Sequence, residues 1–192
     1  MSKSLKGTRT EKALLAAFAG ESQARNRYTY FAGVAEKEGY LQLAELFRET
    51  AENEKEHAKV YFKHLEGGMV EIVAMYPAGK IGTTAENLKG AAAGEHEEWT
   101  KLYPDAAKLA RDEGFPEVAA SFENIAQVEN AHEARYLKLL ANLEQDAVFK
   151  KPVEVKWKCR NCGYIHVGNV APVACPACRH PQKYFELQNV NY

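Results

Sequence analysis

The chain has 192 residues, a formal net charge of −1 at pH 7 and 46% hydrophobic residues. This size suits one sizeable domain with a small module, and the near-neutral charge argues against nucleic acid or an anionic membrane as the main partner. No apolar run is long enough to span a bilayer and the opening residues lack a signal-peptide stretch, so we expect a cytoplasmic protein.

The first third of the chain predicts a pair of helices. Apolar and small residues recur at i, i+3, i+4 and i+7 over residues 10–38, which is the spacing of a bundle helix. Thr8 with Glu11 predicts a capping box at its start, and Gly39 predicts its end. A second helix with an apolar stripe is predicted from about residue 40 to residue 65.

A long connection and a second helical pair are predicted next. The stretch EIVAMYPAGKIGTT contains proline and glycine, and Thr83 with Glu86 then caps a third helix over about 84–113. Pro116 stands where the first turn of a fourth helix tolerates proline. Two short turns and one long crossover predict a mainly α fold, a ferritin-like four-helix bundle.

Seven acidic and histidine side chains fall in the apolar stripes of these helices rather than on their solvated faces. Glu54 and His57 form a Glu-x-x-His pair that recurs 75 residues later. Side chains three residues apart on a helix lie close enough to bind the same metal centre. Burying an unpaired carboxylate costs several kcal/mol, so five together would exceed the ~5–15 kcal/mol stability of an ordinary domain. Either the glutamates point into water, or cations neutralise them. We favour a dinuclear metal site with candidate ligands Glu21, Glu54, His57, Glu95, Glu98, Glu129 and His132.

The type of ligand indicates which metals this site would hold. One glutamate from each of two helices and Glu-x-x-His from the other two is the ligand pattern of di-iron and di-manganese bundles. Glu98 is a seventh candidate where six complete the pattern, and its counterpart in the first hairpin is Ala24. We therefore expect a redox-linked exchange at one metal, with the Glu98 carboxylate bound in the more positive state and the neutral His57 imidazole in the less positive one.

The last quarter of the chain predicts a small metal-binding module. Residues about 145–154 are predicted to be a linker between domains at 1–145 and 146–192, with Trp157, Tyr164 and Phe185 as the available core. Two C-x-x-C knuckles separated by twelve residues place four thiolates around one ion. A structural zinc ribbon has the same spacing, but beside a di-iron bundle we favour iron, because only iron passes electrons. The four predicted ligands are Cys159, Cys162, Cys175 and Cys178.

Six short segments, taken together and in this order, resemble the rubrerythrins over the whole length of the chain. They are GESQARNRY, ENEKEH, GEHEEW, ENAH, CRNCGY and CPAC. The resemblance implies a ferritin-like di-iron domain, with two iron ions, followed by a rubredoxin-like β-rich domain with one iron. It also implies a peroxidase that reduces hydrogen peroxide to water in defence against oxidative stress. Electrons would come from an external donor, a rubredoxin or a reductase, and the chain would form a homodimer or a higher homo-oligomer.

The resemblance also implies individual residue roles. His57 would replace Glu98 on one iron upon reduction, and Tyr28 and Tyr103 would hydrogen-bond to ligating carboxylates. Trp99 departs from the family pattern, where we expect a tyrosine, without removing a ligand. Before reduction, the ligands that the resemblance implies for the di-iron site are Glu21, Glu54, Glu95, Glu98, Glu129 and His132.

Two alternative functions remain open from the sequence. One is a ferroxidase or oxidase that consumes dioxygen, as other ferritin-like proteins do. The other is a non-enzymatic metal-binding protein whose cysteine tail is a zinc ribbon for protein contact.

Overall fold

A computed structural model describes residues 3–191. Its first hairpin consists of α1 (Arg9–Glu38) and α2 (Leu41–His64), which lie within one residue of the predicted bounds. One half of the predicted capping box is present, because the Thr8 side chain accepts a hydrogen bond from the backbone N–H of Glu11. The Glu11 carboxylate accepts from the backbone N–H of Gly7 instead of that of Thr8. Gly39 ends α1 in the left-handed conformation, with a φ of 90°, and this lets the chain reverse at once into α2.

The second hairpin is also built as predicted, except for one irregular turn. Its first arm runs without interruption through α3, a single π-helical turn and α4, and Thr83 with Glu86 forms a complete capping box at its start. Residues 65–83 connect the two hairpins without a helix or strand. The predicted four-helix bundle with one long crossover is confirmed. The elements are α3 (Thr84–Glu97), the π turn (Glu98–Leu102), α4 (Tyr103–Asp112) and α5 (Pro116–Glu144).

Buried apolar side chains form two clusters within the bundle. Tyr28 and Tyr136 belong to one cluster, and Tyr61 and Tyr103 belong to the other. Along each arm of the bundle, the buried glutamates come between residues of the first cluster and residues of the second. The acidic side chains therefore form a layer between two apolar cores.

The C-terminal part is a three-stranded antiparallel sheet with the strand order β2-β1-β3. Its strands are β1 (Lys150–Cys159), β2 (Ile165–Val170) and β3 (Phe185–Leu187). Trp157 and Phe185 are buried, as predicted, whereas Tyr164 is half-buried. The linker prediction is wrong for residues 150–154, because they already belong to β1; the pairing of this strand is irregular between Lys150 and Val155, which weakens its sequence signal.

The sheet module contacts the bundle through the segment before β1. The rings of Tyr40 and Phe149 stack with centroids 6.2 Å apart, and Val148 packs against the first apolar cluster. Among the helices of residues 3–191, none is long and apolar enough to cross a membrane.

Candidate metal centres

Six of the seven predicted bundle ligands converge in the acidic layer. The four glutamates Glu21, Glu54, Glu95 and Glu129 are at most 1% exposed. The alternative that these glutamates point into water is therefore wrong. One glutamate comes from α1, one from α3, and α2 and α5 each contribute a glutamate with the histidine one turn later.

These six side chains form two groups of four that share two members. Glu21 and His57 complete the first group, and Glu95 and His132 complete the second. Glu54 and Glu129 belong to both groups, and within each group one possible ligand atom per residue lies within 4.8 Å of the others. Each shared carboxylate directs one oxygen to each histidine. The arrangement is that of two metal positions bridged by two carboxylates.

The histidine nitrogens and the shared carboxylate oxygens are spaced like ligands of one metal ion, whereas Glu21 Oε2 and Glu95 Oε2 each lie 3.8 Å from the histidine of their group. Two ligands bound at right angles at about 2.1 Å from one ion lie about 3 Å apart. The Nδ1 atom of His57 lies 2.8 Å from Glu54 Oε2 and 2.9 Å from Glu129 Oε1. In the second group, His132 Nδ1 lies 2.8 Å from Glu129 Oε2 and 3.2 Å from Glu54 Oε1.

The atoms in the layer are close together but are not hydrogen-bonded to one another. Eight buried ligand atoms have no hydrogen-bond partner among the described residues, in a layer where an unsatisfied polar atom is costly. Their directions fit a cation better than a hydrogen-bond network, so these residues fit the two metals that the bundle pattern implies. The eight atoms are Glu21 Oε2, both Oε of Glu54, His57 Nδ1, Glu95 Oε2, both Oε of Glu129 and His132 Nδ1.

Two buried tyrosines satisfy the remaining oxygens of the unshared glutamates. The Tyr103 hydroxyl donates to Glu21 Oε1 at 2.5 Å, and the Tyr28 hydroxyl donates to Glu95 Oε1 at 2.5 Å. Each tyrosine lies in a different apolar cluster, and each holds the carboxylate of the opposite hairpin. The other oxygen of each carboxylate is thereby oriented into its group. Burial, together with the charges of nearby carboxylates, raises the pKa of both phenols, so both remain donors.

The electrostatics of the layer also favour a bound cation. Burial raises the pKa of Glu95 to about 8 and that of Glu21 well above its ordinary value. Burial lowers the pKa of His132, but its contacts with carboxylates, foremost Glu129, outweigh this and raise it to about 12. His57 behaves in the same way. Without metal the layer therefore holds protons, which a cation must displace.

Glu98, the seventh predicted ligand, lies outside both groups. It is half-buried at the first position of the π turn, and its Oε1 is 4.0 Å from the place that a Cβ on Gly20 would take. Burial, with the charges of Glu21 and Glu95 next, raises the pKa of its carboxyl well above the ordinary value. The structure thus places His57 in the first group and leaves Glu98 outside it.

The π turn has a sequence signal that we did not predict. Glu95 follows Glu21 by 74 residues, whereas Tyr103 follows Tyr28 by 75. Four residues separate Glu98 from Tyr103, but only three separate the corresponding pair in α1. The second repeat therefore has one extra residue at the π turn, where the Tyr103 N–H bonds to the Glu98 carbonyl five residues back.

The four cysteines form a second candidate metal centre. The Sγ atoms of Cys159 and Cys178 are 3.7 Å apart, and those of Cys162 and Cys175 are also 3.7 Å apart. Four sulfurs bound tetrahedrally at about 2.3 Å from one ion lie about 3.8 Å from each other, so the arrangement fits one metal. A hydrogen bond from the backbone N–H of His180 lowers the pKa of Cys178 to about 6, which favours the thiolate that a metal requires.

Comparisons with known proteins agree with both centres. A family model described as rubrerythrin matches residues 12–140, and one described as rubrerythrin, rubredoxin-like domain matches residues 157–186. A rubrerythrin of Porphyromonas gingivalis is 62% identical over 192 residues, which cover 100% of this chain and 96% of that protein. The structure of a fully reduced, all-ferrous nigerythrin is 30% identical with a TM-score of 0.61, over 97% of this chain and 90% of that chain.

The ferritin-like fold is confirmed by a more distant structure. A bacterioferritin of Desulfovibrio desulfuricans, solved with its di-iron site in different catalytic states, has a TM-score of 0.63 and 22% identity. The match covers 72% of this chain and 82% of that chain. The described residues thus carry a Glu/His site of the di-iron type and a rubredoxin-like four-cysteine cluster.

Proposed function

Because the chain belongs to the rubrerythrin family, we propose that it is a non-haem di-iron peroxidase that reduces hydrogen peroxide to water. The observation that carries this proposal is the pair of buried groups sharing Glu54 and Glu129, with unpartnered atoms directed into both. Two adjacent metal positions would suit a two-atom substrate such as peroxide. Bound iron would supply Lewis acidity and two electrons.

We assign the ligands from the two groups. Glu54 and Glu129 would be shared by the two metals, Glu21 with His57 would complete one metal site, and Glu95 with His132 would complete the other. Tyr103 and Tyr28 hold the unshared carboxylates in position. Four buried carboxylates carry four negative charges, which two divalent cations balance.

Glu98 and His57 would adapt one of these sites to the charge of its metal. In the structure, His57 belongs to the first group and Glu98 lies outside it, so His57 would bind the less positive state of a metal there. Reduction of hydrogen peroxide consumes two electrons and two protons and yields two molecules of water. The Glu98 carboxyl group would hold one of these protons, and after losing it the carboxylate would be available as a ligand in place of the His57 imidazole.

The cysteine module would return the electrons one at a time. One iron held by Cys159, Cys162, Cys175 and Cys178 would accept each electron from an external donor, a rubredoxin or a reductase, and pass it to the bundle. In this proposal residues 1–145 are the catalytic domain and residues 146–192 the electron-transfer domain. A homodimer or higher homo-oligomer in the cytoplasm is part of the same proposal.

The proposal is tested by rapid mixing of the fully reduced, iron-loaded chain with either hydrogen peroxide or dioxygen. We expect peroxide to oxidise the bundle iron much faster than dioxygen, with one peroxide consumed per two electrons. Preferential reaction with dioxygen would instead support the oxidase alternative. Selective replacement of the cysteine-bound iron by zinc should abolish turnover with an external donor while leaving the single reaction with peroxide intact.

A further inference from the structure

Three side chains outside the metal groups meet beside the π turn. The indole Nε1–H of Trp99 donates to Glu133 Oε2 at 2.5 Å, and His96 Nδ1 lies 3.0 Å from Glu133 Oε1. The rings of His96 and Trp99 meet edge to face with centroids 5.6 Å apart. Trp99 directly follows Glu98, and Glu133 directly follows His132. The contact therefore joins the turn that carries Glu98 to the helix that carries His132.

The contact between Trp99 and Glu133 stabilises the irregular backbone of the π turn. A π turn contains an extra residue, and such turns are rare because they are less favourable than the regular α-helix. Glu98 and Trp99 are the first two residues of this turn. Trp99 is partly buried and the Glu133 side chain is only 16% exposed, so water replaces their hydrogen bond poorly.

We propose that Trp99 is a positioning residue: through Glu133 its indole N–H fixes the π turn on α5, so that the Glu98 side chain stays within reach of the first metal group. This inference rests on the exchange of Glu98 and His57 in the proposed function. Loosening the turn increases the conformational entropy that Glu98 loses when it binds metal, whereas His57 on α2 is unaffected. The ligand-exchange equilibrium then shifts from Glu98 to His57. Because Glu98 would bind the oxidised state, the reduced state becomes relatively more stable.

The test uses the iron-loaded full chain, four single variants and the double variant that combines Trp99→Phe with Glu133→Ala. Trp99→Phe removes the donor but keeps an aromatic ring, Glu133→Ala removes the acceptor, and Glu133→Gln keeps an acceptor oxygen. Arg111→Gln is the matched control. Arg111 on α4 forms an ion pair with Glu123 on α5, so this substitution removes a different contact between the same two arms of the bundle. For each variant we would measure the midpoint potential of the di-iron centre and amide hydrogen exchange of the peptide covering residues 98–103.

We expect Trp99→Phe and Glu133→Ala to weaken Glu98 binding about tenfold, a loss typical of one hydrogen bond to a charged group. For a two-electron couple this raises the midpoint potential by about 30 mV. The same variants should exchange the amides of residues 98–103 about tenfold faster. The double variant should show no more than either single change, because both remove the same contact. Glu133→Gln and Arg111→Gln should resemble the parent chain.

Two results would overturn the inference. One is a Trp99→Phe chain with parental potential and parental amide exchange. The other is an equal change in Arg111→Gln, since this would show a general loosening of the helices. Failure of the proposed function can be distinguished from failure of this inference. If the chain does not reduce peroxide but the variants show the expected shifts in midpoint potential and amide exchange, the positioning role of Trp99 stands.

Discussion

Replacing Tyr103 by phenylalanine tests whether the buried tyrosines orient metal ligands. The substitution removes one hydroxyl group, which donates a hydrogen bond to Glu21 Oε1. Tyr61 provides a matched control: its ring lies 5.7 Å from that of Tyr103 in the same apolar cluster, but its hydroxyl has no partner among the described residues. Tyr28 and Tyr136 form a corresponding pair at the second metal group, with ring centroids 5.4 Å apart.

The expected loss follows from the burial of the acceptor. Glu21 is fully buried, so water cannot replace the lost hydrogen bond and its carboxylate becomes free to rotate. Loss of such a partner behind a metal ligand typically lowers metal affinity 10- to 100-fold, which is about 1.4 to 2.7 kcal/mol. We expect Tyr103→Phe to act on one metal only, because Glu21 belongs only to the first group.

The assay is a competition titration of the bundle metals against a chromophoric chelator. Tyr103→Phe should produce one weakened site and one parental site, whereas Tyr61→Phe should leave both unchanged. Tyr28→Phe should weaken the other site, and Tyr136→Phe should have no effect. Equal behaviour of Tyr103→Phe and Tyr61→Phe would refute the assignment of Tyr103 as a ligand-orienting residue.

Three further predictions concern the shared ligands, the charge of the layer and the cysteine module. Glu54→Ala should lower the measured iron content by two per chain, because Glu54 belongs to both groups, and Glu21→Ala by one. The folded pKa values of His132 and Glu95, about 12 and about 8, exceed the ordinary values of 6.5 and 4.5. The folded chain therefore binds these protons more tightly than the unfolded chain, and its free energy of unfolding decreases as the pH rises above the ordinary values. The melting temperature of the chelator-treated chain should fall between pH 6.5 and 8, and a rise would contradict this. Arg179 is left-handed, with a φ of 64°, so Arg179→Gly should stabilise the cysteine module against denaturant by about 1 kcal/mol; unchanged stability would exclude strain there.

The bundle and its ligands could be predicted from the sequence because they are local and periodic. Glu54 and His57 share a helical face by spacing alone, and their inward phase follows from the apolar residues around them. The cysteine cluster is similar, because each C-x-x-C knuckle is short. The start of β1 was predicted less well, because the irregular pairing between Lys150 and Val155 leaves no regular alternation to detect.

Contacts between distant segments could not be predicted in the same way. The hydrogen bond between Trp99 and Glu133 spans 34 residues and depends on the rotation that the π turn gives to Trp99. His96, which joins the same contact, is exposed and shows no periodic signal of its own. The π turn itself was detectable, but only by comparing the two repeats residue by residue rather than by searching for a motif.

Glu98 makes an otherwise repeated site asymmetric, and the one-residue insertion that follows it restores the register of Tyr103. The repeated hairpins place equivalent glutamates, histidines and tyrosines around two metal positions, and this symmetry by itself would make the two metals equivalent. The insertion lies between Glu98 and Tyr103, so Tyr103 keeps the register that it needs to reach Glu21. Glu98 has only Ala24 as its counterpart in α1. In the proposed function, this additional carboxylate beside one metal position would let a ligand exchange follow a change of charge there, while the shared carboxylates keep their positions.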